Sequence, residues 1–95
     1  MAAYVIANID VKDPEGYAGY SKLARPAIEK YGGKAIVRNG EVDVKEGSWV
    51  PKRLVILQFE SMEQARKFYD SPEYREARAI REKFSSAEFL LIDGV

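Results

Sequence analysis

Alternation and periodicity of apolar positions divide the chain into strand-like and helix-like stretches. The run "AYVIANIDV", Ala3 to Val11, is short and rich in β-branched and aromatic residues, which reads as a strand. Asp13 then caps a helix whose first position is Pro14, where a missing N–H costs nothing. Tyr17, Tyr20, Ala24, Ala27, Ile28 and Tyr31 recur at helical spacing and give that helix a tyrosine-rich apolar face ending at Gly32-Gly33. Pro26 lies inside the pattern, so a kink or break is expected near Ala24 to Pro26.

Two short strands are predicted next, "KAIVRNG" and "EVDVKEG", joined by a tight turn at Asn39-Gly40. In the second, Val42 and Val44 alternate with Glu41, Asp43 and Lys45, the pattern of an edge strand. "RLVILQF", Arg53 to Phe59, is apolar on both faces. Ser61 and Gln64 form a capping box for a helix carrying Met62, Ala65, Phe68 and Tyr69 on one side. Ser71 and Pro72 restart a helix, and "AEFLLIDG" supplies the last strand. The order is the split βαβ pattern of an α+β, ferredoxin-like βαββαβ sandwich with an extra helical segment before the final strand, in one domain over residues 1–95.

In that fold both helices cover one side of the sheet and leave the other open. Yet Val5, Ala7 and Ile9 oppose Tyr4 and Ile6, Val55 and Leu57 oppose Leu54 and Ile56, and Phe89 and Leu91 oppose Leu90 and Ile92. Both faces are apolar, so the open one needs a cover, and a second copy packed sheet against sheet gives the expectation of a homodimer.

Composition narrows the chemistry. Lys and Arg number 15 and Asp and Glu 15, intermixed along the chain, so no basic footprint for nucleic acid exists. The absence of histidine and cysteine removes imidazole and thiolate catalysis, disulfides and the usual transition-metal ligands, and with them the common haem ligands. Asp10 and Asp13 flank a strand-helix junction where Asp13 already serves as a cap, so no metal and no cofactor are expected. The start lacks a leader pattern and no apolar run approaches a membrane span, which makes a cytoplasmic protein without a membrane partner the expectation.

The motifs "DPEGYAGY", "KYGG", "EGSW" and "FYDSPEYREARAIR" resemble, at matching spacing from end to end, those of the bacterial family called domain of unknown function 1330. That family is similar to the dimeric α+β barrel superfamily. The resemblance implies a dimeric barrel and places a basic residue near Arg38, but it implies no reaction.

Candidate site residues come from polar groups on inward positions. On a helical wheel Arg81 falls about 20° from Tyr74, on the inner stripe, with Arg78 at its edge and Arg75 a quarter-turn away. An inward guanidinium needs an acceptor, either within the protein at Glu46, Asp93 or a strand-end carbonyl, or on a ligand anion held bidentately. Tyr17, Tyr20 and Tyr31 are either core or a pocket wall with polar tips. Trp49 covers the edge strand, packs across a dimer or forms a lid, and Arg38 is either surface or site. Asn8 and Gln58 interrupt apolar strands and must find partners wherever they are buried.

Three functions follow: a homodimer binding a small organic anion or polar aromatic ligand between helix and sheet through Arg81, Tyr17, Tyr20, Trp49, Arg38, Tyr74, Asn8 and Gln58; a cofactor-independent oxygenase or isomerase; or a structural dimer without a ligand.

Overall fold

The structure is a computed structural model describing residues 1–95. Its elements run β1 (Ala3–Val11), α1 (Pro14–Lys30), β2 (Lys34–Arg38), β3 (Leu54–Phe59), α2 (Met62–Tyr69), α3 (Pro72–Phe84) and β4 (Ser85–Asp93). The four strands form an antiparallel sheet in the order β2-β3-β1-β4, with Val5 paired to Leu57 on one side and to Leu91 on the other. This is the expected α+β, ferredoxin-like arrangement.

The three predicted caps are in place. Asp13, Ser61 and Ser71 each accept a hydrogen bond from the backbone N–H three residues on, at Gly16, Gln64 and Tyr74. The reciprocal half of the capping box is absent, because the Gln64 amide donates instead to the Tyr31 carbonyl at 2.8 Å, tying α2 to the end of α1. Helix α1 continues through Pro26 without the expected break. Only one intrahelical N–H is lost there, and flanking Ala24 and Ala27 are buried against the core, so packing outweighs the local defect.

The predicted strand at 41–47 does not form. Residues 39–53 are a long connection without strand or helix, and β2 pairs directly with β3. Asn39 takes a left-handed φ of 50° and its N–H donates to the Leu54 carbonyl, so the chain leaves β2 outward rather than folding back in a two-residue turn. A strand there would lie beyond β2 with little to bury: Val42 and Val44 stay 46% and 40% exposed.

One sheet face carries the core. Ala3, Val5, Leu57 and Phe59 pack against Ala24 and Ala27 of α1, Ala65 and Phe68 of α2, and Tyr74 and Ala77 of α3. Aromatic rings run through this layer, with centroid separations of 5.0 Å for Phe59 and Phe68 and 4.6 Å for Phe68 and Tyr74. The opposite face presents Tyr4, Ile6, Leu54, Ile56, Leu90 and Ile92, and no element of the chain covers it; Leu90 and Ile92 remain 53% and 49% exposed.

Two clamps fix the ends of α1. At its start, the Phe84 carbonyl accepts from both Lys12 and Asp13 N–H groups, and the Phe84 ring lies where a Cβ on Gly16 would be. At its end, Glu73 of α3 forms an ion pair with Lys30 and accepts from the Tyr31 hydroxyl at 2.9 Å. Hydrogen bonding by Lys30, its own backbone and Tyr31 holds the Glu73 carboxyl down to about 2.

Gly16→Ala is expected to destabilise in urea titration by about 1–3 kcal/mol through overpacking, partly offset by helix propensity. In a Phe84→Ala background the same change should stabilise. For Glu73 the lowered folded-state value means a contribution present above pH about 4.5 and lost as pH falls toward about 2. The stability difference between the wild type and Glu73→Gln should therefore shrink across that window, as thermal melts at stepped pH would read.

Candidate functional site

A cleft of about 540 Å³ opens between α1 and the β2-β3 side of the sheet. Its floor is apolar: Val5, Ala7 and Ile9 of β1, Val55 and Leu57 of β3, and Ala35 of β2. Its wall comes from α1, with Tyr17, Tyr20, Ala24 and Ile28, and Phe89 of β4 also lines it. Arg25, Lys34, Arg38 and Arg53 contribute four cations against one carboxylate, Glu29.

Local pattern explains each placement. Arg53 shares the parity of Val55 and Leu57, which turns it to the helix side, and its guanidinium lies 5.7 Å from the centroid of the Tyr17 ring. Arg38 pairs with Val55 across a register shift in β2 and so reaches the same side. Tyr17, Ser21, Arg25 and Ile28 follow one another at three- and four-residue steps along the flank of α1 that faces the strands. The chain's ion pairs are Lys12 with Asp10, Lys30 with Glu73, Lys45 with Asp43, Lys67 with Glu63 and Arg78 with Glu82, so none of the cleft's charges is neutralised by a partner.

Tyr17 and Tyr20 line the inner wall, and Tyr74 backs Tyr20 from behind it. Tyr20 and Tyr74 share a hydrogen bond of 2.8 Å between their oxygens, and their rings meet edge to face at 6.2 Å. Burial raises the pKa of both phenols, helped at Tyr20 by Tyr74 and opposed at Tyr74 by the shared bond and the Arg81 charge. Burial also raises Tyr17, against the pull of Arg53. All three stay protonated at neutral pH, so they are proton donors rather than bases. Glu29 is the one carboxylate lining the cleft.

Of the residues singled out from the sequence, Tyr17, Tyr20 and Arg38 line this cleft, and Tyr74 supports it through Tyr20. Arg81 is buried, 5% exposed, but lines a second, smaller pocket that shares Phe89 with the cleft. Trp49 is 61% exposed in the 39–53 connection and lines neither. Asn8 and Gln58 have the parity of the bare sheet face; the Asn8 side chain accepts from the Lys52 N–H at 2.9 Å and anchors the long connection. Arg25, Glu29, Lys34 and Arg53 escaped the sequence reading, although counting alternate positions back from Leu57 reaches Arg53. No group of three or more His, Cys, Asp and Glu converges on a metal position.

No curated protein matches the sequence. Among solved structures, a protein of unknown function from Rhodopseudomonas palustris superposes with a TM-score of 0.77 at 17% identity, covering 99% of this chain and 82% of that one. SnoaB, a cofactor-independent oxygenase from Streptomyces nogalater, superposes with a TM-score of 0.70 at 10% identity, covering 99% of this chain and 93% of that one. A dimeric protein of unknown function and ferredoxin-like fold from Bacteroides fragilis gives a TM-score of 0.58 at 12% identity, with coverage of 98% and 96%. At these identities the likeness is one of fold. The sequence matches the family described as domain of unknown function (DUF1330) over residues 2–95, and the chain belongs to that family.

Proposed function

We propose that the protein is a homodimeric module that binds a small polar aromatic compound carrying an acidic group in the cleft between α1 and the sheet. The observation that carries this reading is the pairing of an apolar, tyrosine-walled floor with four cations unmatched by internal ion pairs. A flat ring would lie on Val55, Leu57 and Ala7 with Tyr17 and Tyr20 beside it. Its carboxylate or phenolate would meet Arg38 and Arg53, whose forked donors suit a planar anion. The volume accommodates a molecule of one or two rings.

Dimerisation follows from the bare face. Leu90 and Ile92 are half exposed beside Ile6 and Ile56, and burying such side chains is worth about 1.5–3 kcal/mol each. A second copy related by a two-fold axis covers the same patch on both chains.

A cofactor-independent oxygenase is the second reading, favoured by the same cations. Such chemistry draws electrons from the substrate's own anion, and guanidinium groups at the cleft would hold that anion at neutral pH. Glu29, the one carboxylate lining the cleft, would take the proton.

Binding is tested by native mass spectrometry and NMR titration against a panel of aromatic carboxylates and phenols. Arg53→Gln or Arg38→Gln should each lower the affinity about tenfold with an unchanged far-UV spectrum, the loss of one charge-assisted contact. If no member of the panel binds and the purified chain carries no releasable adduct, the ligand reading fails. Oxygen uptake with a bound phenol, abolished in Glu29→Gln, would favour the oxygenase over the binder.

Ile56→Lys is expected to turn a dimer into a monomer in sedimentation velocity. A wild-type monomer at micromolar concentration would overturn the covering of the sheet.

A further inference from the structure

Arg81 remains outside the cleft and without an ion-pair partner, although it is 5% exposed. It makes no bond to Glu46, to Asp93 or to a strand-end carbonyl. Its Nε is buried and makes no hydrogen bond, and the only other such side-chain atom in the chain is the Nε of Arg78, one helical turn earlier, which has the Glu82 carboxylate beside it as an ion pair. Both arginines line the same pocket of about 310 Å³, together with Tyr69, Glu82, Ser85, Ser86, Ala87 and Phe89. Two guanidinium groups, each with a buried Nε that makes no hydrogen bond, therefore line one hollow at the α3-β4 junction.

The aromatic neighbours explain how the cations are held. Arg81 Cζ lies 4.2 Å from the Phe89 ring centroid, and Arg78 Cζ lies 5.2 Å from that of Tyr69. An arginine close to a ring face gains cation–π attraction through its own face, which does not consume its in-plane N–H donors; part of the Arg81 fork is near the Tyr74 hydroxyl, and the Nε atoms of both arginines stay without a hydrogen bond. Glu82 is the sole carboxylate in the pocket; it sits 3.3 Å from Arg78 Nε without making a hydrogen bond, and it is more than half exposed. Ser85 spends its proton on the Arg81 carbonyl at 2.6 Å. Two positive charges and one negative leave the pocket net cationic, and arginine cannot shed its proton to relieve that.

We infer that this pocket is a second anion site, distinct from the cleft, which takes one small oxyanion of phosphate or sulfate type between Arg78 and Arg81. A tetrahedral oxyanion offers several acceptors at once, so it can meet both guanidinium edges from one position. The site is independent of what the larger cleft binds.

The test uses inorganic phosphate as the probe, against chloride at equal ionic strength, on the full-length protein. Calorimetric titration should give saturable binding of one phosphate per chain, and thermal melts should shift upward with phosphate concentration. Arg78→Gln, on a side chain 40% exposed, should weaken phosphate about tenfold and lower the melt in chloride only slightly, by the loss of its Glu82 and Tyr69 contacts. Arg81→Lys keeps the charge but loses the fork, and should also weaken phosphate. No saturable heat and no phosphate-specific shift would overturn the assignment. So would a loss of phosphate binding in Arg53→Gln with none in Arg78→Gln, which would put the anion in the larger cleft.

Discussion

The hydrogen bond between the Tyr20 and Tyr74 hydroxyls fixes where α1 sits. It joins the middle of α1 to the first turn of α3, and the Glu73 contacts with Lys30 and Tyr31 tie the C-terminal end of α1 to that same turn. Buried hydroxyls of this kind cost about 1–3 kcal/mol if left without a partner, so the bond constrains position more than it adds stability. Held beside α3, the helix leaves the β2-β3 side of the sheet open. The cleft is the space that results, and Tyr20 forms both the attachment and the wall.

Much of this was legible in the sequence because it rests on short-range rules. Asp13, Ser61 and Ser71 announced three helix starts through local hydrogen bonding alone, and strand alternation separated Val5 and Ala7 from Tyr4 and Ile6. The helical wheel put Arg81 inside and Arg75 outside, which the burial bears out. What failed were features decided by distant packing. Val42 and Val44 alternate as a strand would, but no layer lies over them to reward pairing. Pro26 breaks a helix in isolation, whereas here buried Ala24 and Ala27 hold the turn on either side.

The site was only half legible, and for a related reason. Tyr17, Tyr20 and Arg38 were found from periodicity and resemblance, but which cavity a side chain enters depends on the lateral position of a whole helix. Arg53 belongs to the cleft because β3 begins one residue after it, and Arg81 lies instead against the ring of Phe89, a residue that lines both hollows. Phe89 is thus common to two cationic hollows of different character, one broad and apolar, the other small and polar.

The passage from Phe84 to Ser85, helix to strand with no residue between, has an implication for how this chain can change length. The 39–53 connection is largely exposed and holds no strand or helix, and doubling a flexible loop costs only about 0.6 kcal/mol in closure entropy. At the 84–85 junction there is none. One inserted residue would reverse the parity of β4, sending Phe89 and Leu91 to the bare face and Leu90 and Ile92 into the helix layer. Arg81 would lose its ring, the cleft its Phe89 wall and the core its fourth strand, all from one added peptide unit. Insertions and fusions are tolerable in the long connection, and the helix-to-strand corner is fixed in length.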